Sequence, residues 1–579
     1  MVYAKFASVL LFCIPVICFS QKHDNIWIIG YGGGAQSPPN DEFGNMILDF
    51  STIDTPIITE AQQYDMNFNL LNTIICDSTG SLLFYSNGET VYNQQHKIMA
   101  NGSNLVSNGT GLGYHTIQGG LILPQSWNKN LYYLFIVEDH PSAAYGWKLF
   151  QNTVDISLNS GLGRVIEKRT LIVDDSLTFG LLTAVKHANG RDWWFYIRKL
   201  NTNIWYRGLL SPSGIQVDTI SEGSAFKYGG GQVTFSPDGR FYIVADDESS
   251  SKPAAIHIYD FDRCTGTFSN QRTHYVDSNP NFGVGVAVSP DSRYLYVFHT
   301  TVGYQYDLKA TNIFESEVLI GQYDGFISGL YGSYFLFAQT APDGRIYVGS
   351  WAGTFHWHTI QFPNRQSIDC DFEQHSIEFP VYLLEGLPNS PNFRLGPIDG
   401  SLCDTLGLDN HPLANFRWEQ EDSTELLRIT FTDLSAYEPE TWHWTFGDGS
   451  ESQDTSPVHT YAQPDVYEVC LVVSNQNSAD TICRTVNVGV SSTNDDQAAP
   501  FEVVAYPNPF SDRLILQLKG LDYLRGEVDL FDVAGQLVST TMWHGRQLDW
   551  YLGHLTPGIY FFRVMTDRGV LKTGKIIKL

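Results

Sequence analysis

The chain has 579 residues, 35 of them basic and 62 acidic, for a net charge of −27. So acidic a chain lacks the basic surface that sequence-independent nucleic-acid binding needs, and anionic lipid repels it. At 43% hydrophobic, 14% aromatic and 17% charged, it is long enough for three or four domains and favours strands and turns over helices.

Residues 1–20 read as a secretory signal. Lys5 supplies the positive start, Phe6 to Phe19 is an apolar run broken by Ser8 and Pro15, and Ser20 is a small residue placed for cleavage before Gln21. The run is too short for a membrane anchor. No later stretch approaches 18 apolar residues, so the mature protein is expected not to be transmembrane. Without Cys13 and Cys18, six cysteines remain: Cys76, Cys264, Cys370, Cys403, Cys470 and Cys483. None sits in a C-x-x-C pair, so zinc and redox sites lack support, while an exported chain can hold disulfides.

Next comes a repeated turn. Pro237-Asp238-Gly239-Arg240, Pro290-Asp291-Ser292-Arg293 and Pro342-Asp343-Gly344-Arg345 have their aspartates 53 and 52 residues apart. Pro suits the second position of a type I turn and Gly the positive φ that follows. An aromatic-rich strand of period two comes straight after each copy. Weaker strand markers precede them, and together the markers fall near residues 27, 84, 133, 195, 242, 295 and 347. Such a period signals one four-stranded blade per marker, an all-β propeller over residues 21–400, of seven blades by this count with six or eight as the alternatives. The first blade lacks a turn copy, and residues near 380–398 could complete it.

Within this region the chemistry is sparse. Asp246-Asp247-Glu248 follows a blade strand and offers carboxylates to Ca²⁺, without the D-x-D-x-D-G pattern of a dedicated loop. Asp260 and Asp262 share one face of a strand. His356 and His358 also share a face, but no third ligand is placed for zinc, and a surface or channel-rim role is the alternative. Trp193, Trp194, Trp205, Trp351 and Trp357 are either a carbohydrate-stacking rim or core between blades. No G-x-S-x-G elbow or other catalytic constellation is visible, and no cofactor is expected beyond Ca²⁺.

Across the propeller region the residues resemble a Bacteroidetes family of secreted propeller proteins. The matching pieces are Gly80–Gly88, Tyr259–Gly266, Ile360–Asn364 and Glu385-Gly386-Leu387-Pro388-Asn389. The resemblance implies architecture better than activity.

Residues 401–412 read as a linker, and 413–490 as a smaller β domain. Its Trp444-Thr445-Phe446-Gly447-Asp448-Gly449 run, followed by Pro457-Val458-His459-Thr460-Tyr461, resembles a PKD domain, an immunoglobulin-like sandwich. Cys470 and Cys483 lie on two apolar strands flanking the polar turn at 475–480. Antiparallel pairing would bring them together, so a disulfide is expected.

A second linker, 491–500, leads to the last module, 501–579. Tyr506-Pro507-Asn508-Pro509, then Gly535 at a hairpin turn, then Gly558 and Tyr560, then Lys575 resemble the type A C-terminal sorting domain of the type IX secretion system, expected to be a β-sandwich. The resemblance implies the type IX machinery as a partner, export across the outer membrane, and surface attachment or release. The leading functional expectation is a surface binding or adhesion protein for a glycan or protein ligand, with the PKD domain as spacer. The alternative is a secreted propeller hydrolase or lyase acting on polysaccharide.

Overall fold

The computed structural model describes residues 22–31, 43–51, 55–61, 66–141, 145–225, 230–246, 254–276, 283–329, 331–350, 353–420, 425–489, 502–519, 524–532, 536–566 and 569–578. The signal segment with Ser20 and Gln21, Asp247, Glu248, Trp351, the 491–500 linker and Gly535 lie outside the described residues. The described residues are all β, with three short 3-10 turns and no α-helix.

Up to Leu383 the strands form a succession of antiparallel meanders. The first sheet is Ile26–Tyr31, Gly44–Asp49 and Ile57–Ala61, and the second is Thr73–Cys76, Leu82–Ser86 and Val91–Asn93. Five four-stranded sheets follow. They begin at Gly120–Pro124, Thr183–Lys186, Val233–Phe235, Gly285–Val288 and Ala338–Thr340. The expected strand markers each fall in a different one of these sheets. First strands of neighbouring sheets touch, as Thr73–Cys76 does Gly120–Pro124 and Gly285–Val288 does Ala338–Thr340. The ring returns where Phe372–Leu383, the last strand of the seventh sheet, packs on Ile26–Tyr31 and Gly44–Asp49. This radial stacking is the propeller arrangement.

Stacking explains the aromatic content. Trp193–Arg198 is buried at every position because sheets cover both of its faces. Thr267–Val276, an outer strand, buries only Phe268 and Val276 and leaves its other residues half-buried or exposed. Tyr196, Phe235, Tyr242, Phe261 and Phe268 fill the space between the fourth and fifth sheets, their rings 4.6–6.4 Å apart.

Residues near 380–398 do not complete the first sheet. Phe372–Leu383 pairs with Thr354–Ile360 instead, and the chain beyond it enters the axis of the ring. Among the described residues no strand pairs with the outer edge of Ile57–Ala61.

The small sandwich has one sheet of Phe416–Glu419, Arg428–Asp433 and Val458–Thr460. The other is Glu451–Ser452, Thr441–Thr445, Asp465–Ser474 and Ala479–Val488. Phe416, Phe431, Trp444 and Phe446 pack between them. Cys470 and Cys483 are joined, with Cα atoms 4.0 Å apart. A second disulfide, Cys264–Cys403, ties the 401–412 segment to the fifth sheet, while Cys76 and Cys370 are buried thiols.

This sandwich is fastened to the propeller. Arg345 donates from Nη1 to Asp343 Oδ2 (2.9 Å), from Nη2 to Glu419 Oε1 (2.8 Å) and from Nε to Gln361 Oε1 (2.6 Å). Arg417, fully buried, donates to Glu419 and to the Gln361 carbonyl. Glu419 and Arg417 belong to the sandwich and the others to the seventh sheet, so the spacer is docked rather than loosely strung.

The C-terminal unit pairs Glu502–Tyr506, Arg513–Lys519 and Gln547–Tyr551 in one sheet. Leu537–Gly545, Leu524–Phe531, Gly558–Thr566 and Gly569–Lys578 form the other. Trp543, Leu516, Leu530 and Val564 are fully buried in its core.

Candidate functional site

The axis of a propeller is where side chains from many blades converge, and here it is filled by the chain itself. The Asn389 N–H donates to Asn72 O (2.9 Å), and its Nδ2 donates to Gly120 O (2.8 Å) and Leu182 O (2.9 Å). Gln118 Nε2 donates to Asn389 Oδ1 (3.3 Å) and Val233 O (3.0 Å), and its Oε1 accepts from Val233 N (2.7 Å). Gln232 Oε1 accepts from the N–H groups of Val286 and Ala338, both at 3.0 Å. Asn72 Nδ2 donates to Ile28 O (2.8 Å). Four amide side chains thus tie together the leading strands of the seven sheets that precede Leu383.

By Asn392 the chain has reached the opposite end of the ring. Asn392 Nδ2 donates to Pro237 O (2.8 Å), in the turn that closes the first strand of the fifth sheet. Phe393 packs its ring on His23 and Trp193, and Arg394 pairs with both oxygens of Asp24 at 2.6 and 2.8 Å. Three extended residues span roughly 10 Å, which suits a three- to four-residue inner strand. Gly386 is needed at the start of this passage, because a Cβ there would lie 2.4 Å from Asn69 O. Amides are neither acids nor bases at ordinary pH, and these are spent on backbone groups.

The other residues singled out by sequence are structural. Asp246 is fully buried at the end of Phe241–Asp246, not set in a solvated loop. Asp260 accepts from Arg272 and Asn270, and Asp262 caps its own turn through Cys264 N and Thr265 Oγ1, both at 2.8 Å. His358 is core rather than rim. Its Nδ1 accepts from His375 N (2.9 Å), which leaves the proton on Nε2, within 3.0 Å of Ser350 Oγ. Burial, and then the nearby His375 imidazole, push its pKa down to about 3. Trp193, Trp205 and Trp357 are fully buried and Trp194 nearly so, so none of the four forms a rim.

Exposed aromatics occur elsewhere. The hairpin Ile327–Ser328 and Tyr331–Gly332 lies over the seventh sheet, with Ile327 63% and Tyr331 50% exposed. Beneath it Phe355 stacks on Tyr382 (4.2 Å), and Tyr382 meets Phe43 (5.4 Å).

A cleft of about 480 Å³ opens on the flank between the first and second sheets. Ile26, Ile47, Ile57 and Leu82 form its floor. Asn25, Asp49, Ser51, Thr59, Thr79, Gly80, Ser81, Gln94 and His96 complete the lining. Among the described residues, Asp399, Asp404 and Asp409 alone bring three ligating groups within 4.8 Å of one another. Asp399 already accepts from Asn410 N and Asn477 Nδ2, and Asp404 from Gly400 N, whereas Ca²⁺ takes six to eight oxygens.

In the C-terminal unit the motif residues come together. Asn508 Nδ2 donates to Lys575 O (3.0 Å), and its Oδ1 accepts from Ile577 N (2.8 Å), so the Tyr506–Pro509 turn clasps the last strand. Gly558 opens its strand, and Tyr560 OH donates to Thr556 O (2.8 Å).

Sequence reasoning missed the cleft, the aspartate trio and the axial amides. The last had a signal: Gly386-Leu387-Pro388-Asn389-Ser390-Pro391-Asn392 breaks every strand rule inside a β region.

Comparison with known proteins agrees with this layout. Residues 410–490 match the family described as PKD domain, and residues 504–579 match the Secretion system C-terminal sorting domain. No curated protein matches the chain in sequence. Among solved structures, the PKD1 domain of Vibrio anguillarum Epp is 27% identical, covering 14% of this chain and 96% of its own at a TM-score of 0.13. A Lactobacillus plantarum protein is 13% identical, covering 63% and 98% at a TM-score of 0.39. The periplasmic gluconolactonase PpgL of Pseudomonas aeruginosa is 13% identical, covering 68% and 98% at 0.23. The chain therefore carries a PKD domain and a type IX sorting domain. The latter directs secretion through the outer membrane to the cell surface by way of the type IX machinery. No helix of the described residues is long and apolar enough to cross a membrane.

Proposed function

We propose that the chain is an exported surface binding or adhesion protein, its seven-bladed disc a platform for a glycan or protein ligand and its PKD domain a fixed strut. The filled axis carries this reading. Catalysis at a propeller's mouth needs acids, bases or a metal converging on an open space. Here the convergent groups are Asn72, Gln118, Gln232 and Asn389, each holding backbone. The flank and rim keep the open polar and aromatic surface that recognition uses.

The test is to incubate the mature chain with a panel of insoluble polysaccharides and with intact cells. Both retention and new reducing ends are measured. Retention without reducing ends is the expected result. Steady release of reducing ends makes the chain a hydrolase and ends the binding-only reading.

A further inference from the structure

We infer that the cleft between the first and second sheets binds a neutral, hydroxyl-rich ligand, a sugar unit of an uncharged glycan. This rests on the binding reading above and gives it a place and a chemistry. Among the described residues the first sheet ends at Ile57–Ala61, whereas five others carry a fourth strand. The cleft opens there beside the Thr79–Leu82 turn of the next sheet. The volume, about 480 Å³, falls in the ~300–1,000 Å³ of small-ligand sites.

The lining selects the ligand by what it offers and what it lacks. Among the described residues no lysine or arginine lines the cleft, so a phosphate, sulfate or uronate finds no counter-charge there. Among the same residues Asp49 is the one carboxylate, and its Oδ1 already accepts from Ser51 N (2.8 Å), so a divalent cation meets one charge where it needs several. The one ring among them is His96, which burial keeps neutral, with a pKa of about 4. What remains is hydroxyls from Ser51, Thr59 and Ser81, the Thr79 oxygen as an acceptor since its proton goes to Asp77 Oδ1 (2.6 Å), the Gln94 amide, whose Nε2 also donates to Gly161 O (3.3 Å), and an aliphatic floor. Sugar hydroxyls are paired by such groups, and the C–H face of the ring lies on such a floor. His96 is also held in the left-handed region at φ 58°, in a turn that Asn93 Oδ1 fixes by accepting from Gln95 N (2.9 Å) and Lys97 N (3.2 Å). Over-determined strain of this kind gathers at ligand sites.

The experiment titrates the mature chain calorimetrically with neutral tetrasaccharides (β-1,4-glucan, β-1,3-glucan, β-1,4-mannan) and with oligogalacturonate. Three variants are compared at unchanged thermal midpoints. Thr59→Trp fills the cleft from an exposed strand position, Gln94→Ala removes one amide, and Tyr331→Ala alters only the distant hairpin. The expected result is binding of a neutral oligosaccharide that both cleft variants weaken, Gln94→Ala by about tenfold at most, and Tyr331→Ala leaves alone. Loss with Tyr331→Ala alone overturns this site and keeps the binding reading. Preference for oligogalacturonate overturns the ligand class. No binding of any oligosaccharide overturns the inference outright, and retention on cells then decides the broader reading separately.

Discussion

The three Pro-Asp-(Gly/Ser)-Arg turns look interchangeable in sequence and do two different jobs. In the fifth and sixth sheets the aspartate serves its own turn. Ser236 Oγ donates to Asp238 Oδ1 (2.6 Å), Asp238 Oδ1 accepts from Arg240 N (3.0 Å), and Ser289, Asp291 and Arg293 repeat the pattern. Arg240 there is 80% exposed. In the seventh sheet Ala341 replaces the serine. Asp343 Oδ1 still accepts from Arg345 N (3.0 Å), and its Oδ2 in addition accepts from Arg345 Nη1 (2.9 Å) and from Tyr347 OH (2.8 Å). That Arg345 is only 7% exposed and reaches Glu419 of the PKD domain. Gly344 packs there too, since a Cβ would lie 2.4 Å from Leu434 Cδ2. One missing hydroxyl and one buried partner turn scaffold punctuation into a docking point.

The covalent tie on the docked side is the place to break that contrast hardest. Cys264 and Cys403 close a loop of 139 residues. Chain entropy gives such a loop about 5 kcal/mol, against about 3 kcal/mol for the Cys470–Cys483 loop. Paired Cys→Ser variants in chemical denaturation should rank in that order. Next is Arg345→Met, which takes from buried Asp343 its cationic partner and leaves Glu419 to Arg417, and should cost about 3–5 kcal/mol. Arg240→Met, at the equivalent turn, should fall within about 0.5 kcal/mol. Equal costs for the two arginines would show that the seventh turn is no docking point.

Much of this was legible in advance, for identifiable reasons. The blade strands announce themselves because a tight turn and a period-two strand are local, as at Phe235–Val244. The sorting-domain residues were legible as a motif. That Asn508 clasps the strand containing Lys575 needed the fold, since the contact spans 67 residues. The axial hub was illegible because it joins Asn389 to Gly120 across 269 residues and uses amides, which carry no periodicity. Of the two histidines only His358 departs from the surface expectation, being buried while His356 is half-exposed, because alternation reports a shared face and not how wet each position on it is. The cleft lies where the described part of the first sheet ends after three strands, and no residue pattern signals that ending.

Asn389→Ala tests whether the axis is a structural hub or a vacant mouth that happens to be crossed. The change leaves Gly120 O and Leu182 O without their side-chain donor and Gln118 Nε2 without one acceptor. A buried polar group left without its partner costs about 1–3 kcal/mol, so a loss of about 3 kcal/mol is expected. A near-neutral result would mean that water replaces the amide, and that the axis is more open than its hydrogen bonds suggest.

The smallest effect is one of pH. On the third sheet, burial raises the Asp139 carboxyl to about 6, against the Thr116 hydroxyl that donates to it, and neighbouring Glu138 adds to the rise. The folded state therefore binds more protons than the unfolded state between about pH 4 and 6, so stability falls as pH rises through that window. The penalty is then fully present above pH 6. It should amount to no more than about 2 kcal/mol, because the group is partly solvated. Asp139→Asn should flatten that slope, read from urea midpoints between pH 4 and 7. If Asp139→Asn leaves the slope unchanged, the Asp139 carboxyl is not what titrates in that window.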